Sequence, residues 1–183
     1  SGLLGESGFR EYMNQLDTPL ETGYLLRIGI DHFKEINDNF GQEYGDFVLK
    51  KSAECISGCI SEGQKVYKLV ADEFLILDVS SDKAQDADKL YDKVRETIDR
   101  FIETNEFKVI YTVSGGIVPF AALKGNQYAE ALKLTDFALN EAKKLGRNRC
   151  YIFNGETYRK FLRKREITQE LREAVINGFQ GFT

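Results

Sequence analysis

The chain contains few of the residues that mark zinc sites, disulfide frameworks or membrane spans. Its 183 residues include no tryptophan, one histidine, three cysteines and two prolines. Cys55 and Cys59 are four residues apart and His32 is distant in sequence, so zinc binding through Cys and His is not expected. The cysteines are predicted to be free thiols in a reducing cytosol. No apolar run approaches the ~20 residues of a spanning helix, which predicts a cytoplasmic segment without membrane contact, although a longer parent protein could carry an anchor elsewhere.

The charge balance also excludes some classes of ligand. With 25 basic and 29 acidic residues the net charge is −4, which is not the electrostatic footprint of a protein that binds nucleic acid or an anionic membrane. An anionic ligand would need a local basic pocket. The apolar fraction of 42%, with 13 Phe and 9 Tyr, is typical of a folded globular domain.

The hydrophobic pattern predicts an α/β protein. "GYLLRIGI" is a continuous apolar run, as expected of a strand buried on both faces. The predicted order is helix, strand, helix pair, hairpin, helix, strand, helix, strand, helix. This order predicts an α/β sandwich with a mixed central sheet of about five strands flanked by helices. The predicted strands are residues 23–30, 65–70, 73–79, 107–118 and 148–153.

The predicted hairpin carries an unusual tip. In "VYKLVADEFLILDV" two apolar runs flank Val70, Ala71, Asp72, Glu73 and Phe74. An acidic tip between two strands suggests a metal or phosphate site, since hard cations take oxygen ligands. Valine and alanine are unusual at such a tip, because tight hairpin turns favour residues that tolerate positive φ.

Five segments in order resemble the GGDEF domains of bacterial diguanylate cyclases. They are "LLGESGFREYMNQL", "IDHFKEINDNFGQEYGDFVLK", "LVADEF", "TVSGGIV" and "TDFALNEAKKLGRNR", and they run from about residue 3 to residue 153. The resemblance implies a nucleotidyl-cyclase-like, palm-type sandwich. "RKREITQELREAVINGFQGF" resembles the segment that opens an EAL phosphodiesterase domain. We therefore predict a degenerate GGDEF domain over residues 1–155, and a helical linker with the start of a truncated EAL domain over residues 156–183.

The resemblance implies a reaction for which part of the expected site is missing. The family condenses two GTP into cyclic di-GMP, with one GTP in each half of a head-to-head dimer and Mg²⁺ present only together with GTP. Its metal ligands fall on Gly29 and Asp72, and glycine has no side-chain oxygen. Val70 and Ala71 replace two glycines of the turn, and a β-branched residue is poorly suited to positive φ. We predict no appreciable cyclase activity, with the turn from Val70 to Phe74 as the remnant of a catalytic site.

The positions that the family uses to bind the nucleotide are better preserved. Guanine recognition falls on Asn37 and Asp46, whose amide and carboxylate suit the polar edge of guanine. The other nucleotide-binding residues that the resemblance implies, all near the phosphates, are Phe33, Lys34, Lys143 and Arg147. Lys143 and Arg147 are four apart and are predicted to share a helix face. Complementing the dipole at the end of that helix is an alternative role for both residues.

Three functions follow as alternatives. The first is a regulatory module that binds GTP and controls an adjoining EAL domain. The second is a structural or dimerisation module that binds no nucleotide, in which Asp72 and Glu73 are solvated carboxylates of a hairpin tip. The third is a residual cyclase that uses Asp31, Asp72 and Glu73. The family's inhibitory R-x-x-D motif would fall on residues 61–64, "SEGQ", so no inhibitory site for cyclic di-GMP is expected.

Overall fold

The computed structural model describes residues 2–105 and 107–180. The chain divides into a larger unit, Ser1–Phe153, and a smaller one, Asn154–Thr183. The described strands of the larger unit are β1 (Leu4–Gly5), β2 (Tyr24–Ile30), β3 (Gln64–Lys68), β4 (Glu73–Asp78), β5 (Val113–Pro119) and β6 (Cys150–Ile152). Its described α-helices are α1 (Glu6–Asn14), α2 (Phe33–Phe40), α3 (Gln42–Gly58), α4 (Ala84–Thr104) and α5 (Gln127–Lys144).

The strands form one mixed sheet in the order β1-β3-β4-β2-β5-β6. The inner pairs β3–β4, β4–β2 and β2–β5 are antiparallel, whereas β1–β3 and β5–β6 are parallel. The predicted α/β architecture with a mixed sheet is therefore confirmed. The sixth strand, β1, was not predicted, because two residues are too few to show a strand pattern.

The central strand β2 explains how the two faces of the sheet are covered. All seven of its residues are buried, which agrees with the continuous apolar run. Leu26, Ile28 and Ile30 belong to a core cluster with residues of α3 and α4. Successive side chains of a strand point to opposite faces, and the alternate residues Arg27 and Gly29 accordingly lie against α5. The face of the sheet that carries α5 therefore also carries Arg27, Gly29 and Glu73.

One predicted helix boundary differs from the structure and another agrees with it. The apolar pattern after β2 predicts a helix pair broken by Gly41 and Gly45, but only Gly41 (φ 89°) separates α2 from α3, and Gly45 lies inside α3. The helix before β6 is predicted to be closed by Gly146, and this is confirmed: α5 runs to Lys144, and Gly146 follows with φ 121° as the glycine that ends it. Arg147, which comes after this glycine, also has positive φ. Arg147 is therefore not on the helix.

The smaller unit consists of one long helix, α6 (Gly155–Gln180). Its helical structure agrees with the helical linker predicted from residue 156 onward, and its apolar side chains Ile167, Leu171 and Val175 are exposed. Residues 181–183 of the predicted linker lie outside the described residues. No helix in the described ranges has the length and hydropathy needed to cross a membrane.

Candidate nucleotide site

The acidic turn joins β3 to β4 beside the end of the central strand. The backbone N–H of Leu69 donates to Glu73 O (2.9 Å), and the N–H of Ile30 donates to Asp72 O (3.2 Å). These bonds fix the turn against the last residue of β2. Among the described residues of the turn, only Ala71 has φ in the left-handed region, at 57°. The expected conflict between a β-branched residue and positive φ at Val70 is therefore wrong, and the strain lies at Ala71 instead.

The strain at Ala71 can be tested with a matched pair of variants. An L-residue in the left-handed region costs about 1–2 kcal/mol, and the extra chain entropy of glycine offsets part of that gain. Ala71→Gly is expected to raise the free energy of unfolding by about 0.5–1 kcal/mol. Val70→Gly is expected to lower it by a similar amount, because its backbone gains no such relief. Urea unfolding followed by far-UV circular dichroism measures both, and destabilisation by Ala71→Gly would contradict this account.

Gly29 lies directly across the sheet from Glu73. The two residues are register partners in the β2–β4 pair. A Cβ at Gly29 would lie 3.7 Å from Glu73 Cγ and 3.2 Å from Leu139 Cδ2. A carboxylate at this position would therefore stand beside the acidic turn, after a small shift of Leu139. Gly29, where the resemblance implies a metal ligand, therefore lies next to the acidic turn.

The carboxylate of Glu73 is held by a residue that the sequence analysis missed. Arg27 is only 8% exposed, and its Nε and Nη2 donate to Glu73 Oε2 at 2.9 and 2.5 Å. Its Nη1 donates to the Leu132 carbonyl (2.9 Å) and to Thr135 Oγ1 (3.3 Å), both on α5. The signal for this pairing was a lone arginine within a buried apolar strand, which requires a partner for its charge.

Asp72 is half-buried and lies near two lysines. Burial raises the pKa of Asp72, an effect opposed by its own backbone N–H, by the Lys143 ammonium and more weakly by Lys68. The Lys68 ammonium lies on the turn, where it donates to Leu69 O (2.6 Å) and Ala71 O (2.5 Å). Burial lowers the pKa of Lys68, and the acidic neighbours oppose that shift. The tip therefore combines carboxylates and ammonium groups rather than carboxylates alone.

The donor set at the turn does not fit the divalent cation that the resemblance implies. Hard cations require oxygen ligands, but Gly29 supplies none and Glu73 Oε2 accepts two bonds from Arg27. Across residues 2–105 and 107–180 no cluster of three or more His, Cys, Asp or Glu side chains could hold a metal ion. Asp72, the predicted metal ligand, therefore has beside it only a glutamate that is already bonded to Arg27 through Oε2.

The two predicted guanine-binding residues lie near each other at the junction of α2 and α3. Asn37 is half-buried, and its Oδ1 accepts no hydrogen bond from the residues that the structure describes. A Cβ at Gly45 would lie 1.7 Å from that oxygen, so only glycine permits this position of the amide. The next residue, Asp46, is exposed. An unpaired buried amide oxygen next to an exposed carboxylate is compatible with a polar ligand at this junction.

The predicted phosphate-binding residues come from three segments. Phe33 and Lys34 begin α2, Lys143 lies in the last turn of α5, and Arg147 lies in the turn that follows. The prediction that Lys143 and Arg147 share a helix face is therefore wrong. The Arg147 N–H nevertheless donates to Ala142 O at 3.2 Å, which folds Arg147 back toward the end of α5.

A buried aspartate connects these segments. Asp31, between β2 and α2, is 3% exposed. It accepts hydrogen bonds from Thr112 Oγ1 (2.6 Å), Ser114 Oγ (2.7 Å) and the Asn148 N–H (3.1 Å). Asp31 therefore joins the start of α2 to the turn that contains Arg147. Because its oxygens are occupied by protein donors, Asp31 has a structural role here and is not available as a metal ligand for a residual cyclase.

A mixed sheet with an acidic hairpin turn at the end of its central strand, next to a basic helix end, is the arrangement of a nucleotidyl-cyclase type of α/β domain. The chain belongs to the family described as diguanylate cyclase, GGDEF domain, whose sequence model matches residues 6–149. This match covers most of the larger unit and includes all the candidate site residues.

Individual relatives and one solved structure agree with this assignment. The chain is 28% identical over 180 residues to the cyclic di-GMP phosphodiesterase NbdA of Pseudomonas aeruginosa, covering 96% of this chain and 23% of that protein. It is 31% identical to the probable diguanylate cyclase DgcT of Escherichia coli, covering 79% of this chain and 32% of that protein. An EAL/GGDEF domain protein from M. capsulatus superposes with a TM-score of 0.67 at 26% identity, covering 80% of this chain and 94% of that one. The chain thus spans about a quarter to a third of these two curated relatives.

Proposed function

We propose that this chain is a GGDEF domain without appreciable cyclase activity, which binds GTP and thereby regulates an adjoining EAL phosphodiesterase domain in bacterial cyclic di-GMP signalling. The observation that carries the proposal is the contrast between two parts of the site. The side chains suited to guanine and phosphate are present, whereas the carboxylates suited to metal-dependent chemistry are missing or already paired.

The predicted guanine-binding residues, Asn37 and Asp46, support nucleotide binding through their hydrogen-bonding groups. Asn37 has a buried amide oxygen without a partner among the described residues, and a buried polar atom of this kind is costly unless a ligand or water satisfies it. Asp46 can accept hydrogen bonds from the N1–H and the exocyclic amine of guanine, and adenine offers no matching pair of donors. The same two side chains therefore favour GTP over ATP.

The predicted phosphate-binding residues Lys143 and Arg147 support nucleotide binding through their positive charge. Lys143 and Arg147 both lie at the end of α5, and each can donate charge-assisted hydrogen bonds to phosphate oxygens. The chain as a whole carries a net charge of −4. A polyphosphate would therefore be held by this local cluster and not by the general field of the protein.

The regulatory role is supported by a sequence similarity that extends beyond the nucleotide site. The similarity to the phosphodiesterase NbdA covers 96% of this chain, including the long helix α6. A ligand can change the activity of a neighbouring domain only if it binds two conformational states of the protein with different affinity. We propose that GTP binding in the larger unit has this effect on an EAL domain that follows α6.

Calorimetric titration with GTP, with ATP as the control nucleotide, tests the binding step. We expect selective binding of GTP, and Asn37→Ala with Asp46→Ala is expected to weaken it by at least roughly thirtyfold, since each substitution removes hydrogen bonds worth about 1–3 kcal/mol. The neighbouring pair Asp38→Ala with Asn39→Ala, which removes the same two residue types from exposed positions, is the matched control.

Three results would contradict the proposal. Equal affinity of the Asn37/Asp46 variant and the unsubstituted chain would overturn the guanine assignment. The absence of binding at millimolar GTP would favour the second function, a structural or dimerisation module. Formation of cyclic di-GMP by the unsubstituted chain would favour a residual cyclase.

A further inference from the structure

The acidic turn is surrounded by cations that belong to the chain itself. Glu73 is bonded to Arg27 through two nitrogens, and the Lys68 ammonium donates to two carbonyls of the turn. Lys143 lies one helical turn after Leu139, the α5 side chain that packs against Gly29. With Asp136, which lies 3.8 Å from Arg27 Nη2, three acidic side chains are therefore matched by three basic ones in this region. A divalent cation at the turn would have to be accommodated next to these groups.

The position of Arg27 makes its pairing with Glu73 difficult to displace. The guanidinium is buried against α5, and its Nη1 is held by Leu132 O and Thr135 Oγ1. The Asp136 carboxylate lies 3.8 Å from its Nη2. Breaking the pair would leave a buried charge without its partner, which is strongly unfavourable. Arg27 is thus a fixed cation and not a side chain that can leave when a metal ion arrives.

Arg27 and the missing carboxylate also share one location. Residues 27 and 29 lie two apart on β2 and face the same side of the sheet. The Cβ position of Gly29 is 3.7 Å from Glu73 Cγ, and the Arg27 guanidinium reaches the carboxylate of the same glutamate. Arg27 therefore places a positive charge next to position 29, where the resemblance implies a metal ligand.

We propose, on the basis of the GTP-binding function proposed above, that Arg27, Lys68 and Lys143 take the place of a divalent cation in this site, so that GTP is bound equally well with and without Mg²⁺. Lys143 is partly exposed in the last turn of α5. From this position its ammonium can donate hydrogen bonds to phosphate oxygens. Arg27 and Lys68 offset the acidic charges that would otherwise repel a polyphosphate. The site then needs no metal ligand from Gly29.

The first test compares GTP titrations in excess EDTA and in saturating MgCl₂ at matched ionic strength. We expect the two dissociation constants to agree within about threefold, which corresponds to less than 1 kcal/mol. Binding that is about tenfold or more tighter in MgCl₂ would overturn the proposal. The absence of binding in both buffers would overturn the GTP-binding function, and the second test would still decide the metal site.

The second test needs no nucleotide and uses Mn²⁺ alone, followed by the electron paramagnetic resonance signal of the free ion. We expect no stoichiometric Mn²⁺ binding by the unsubstituted chain, and its appearance in Arg27→Met with Gly29→Asp. Gly29→Asp combined with Arg100→Met, which removes an exposed arginine of α4, is the matched control and should bind no ion. Mn²⁺ binding by the unsubstituted chain would overturn the proposal even if the variants failed to fold, and their circular dichroism spectra report on folding.

Discussion

Replacing Asp31 with alanine is expected to lower the free energy of unfolding by about 2–4 kcal/mol, because three donors lose their acceptor at once. The hydroxyls of Thr112 and Ser114 and the Asn148 N–H all converge on this carboxylate. Ser114 is fully buried, so its hydroxyl cannot turn to water. Urea unfolding followed by far-UV circular dichroism measures the loss.

The same substitution is expected to weaken GTP binding, since Asp31 holds the turn that contains Arg147. Asp31→Asn keeps one oxygen as an acceptor and should retain part of the stability. Asp38→Ala removes an exposed aspartate and should change the free energy of unfolding by no more than about 0.5 kcal/mol. A loss of less than about 1 kcal/mol for Asp31→Ala would contradict the structural role of this carboxylate.

The architecture could be predicted from sequence because its signals are local. The buried strand "GYLLRIGI" needs no distant information, since a run of apolar residues bounded by polar ones predicts burial on both faces. The acidic turn follows from two flanking apolar runs. The resemblance then placed Asn37 and Asp46 in one site, and the structure brings Asn37 against Gly45, the residue before Asp46.

The state of the acidic turn could not be predicted, because it depends on contacts between distant segments. Arg27 is 46 residues from Glu73 and 105 from Leu132. A lone arginine in a buried strand predicts that a partner exists, but not which carboxylate provides it. The same holds for Asp31, whose donors Thr112, Ser114 and Asn148 lie 81 to 117 residues away. The positive φ at Ala71 rather than at Val70 depends on the hydrogen bond between the turn and the end of β2.

Arg27 also changes what is required to restore catalysis. The sequence alone indicates that Gly29→Asp with Val70→Gly and Ala71→Gly would return the missing carboxylate and the two turn glycines. In the structure the new carboxylate would lie beside Glu73, whose Oε2 accepts both bonds from Arg27, so the fixed guanidinium would stay next to the restored ligands and repel a divalent cation. We therefore expect the folded triple variant to form no cyclic di-GMP from GTP and Mg²⁺.

Adding Arg27→Met to these three substitutions is expected to raise cyclic di-GMP formation from below detection to at least roughly tenfold above background, because the carboxylates at positions 29 and 72 then lie without the fixed guanidinium beside them. Chromatographic detection of the product measures this, with Arg100→Met in the triple background as the matched control. Activity in the triple variant alone would show that Arg27 does not block the site. A folded quadruple variant without product would place the remaining defect elsewhere, and Gln42 is the first position to change, since the family has histidine there. Arg27 would then be one of several residues that prevent this domain from converting GTP into cyclic di-GMP.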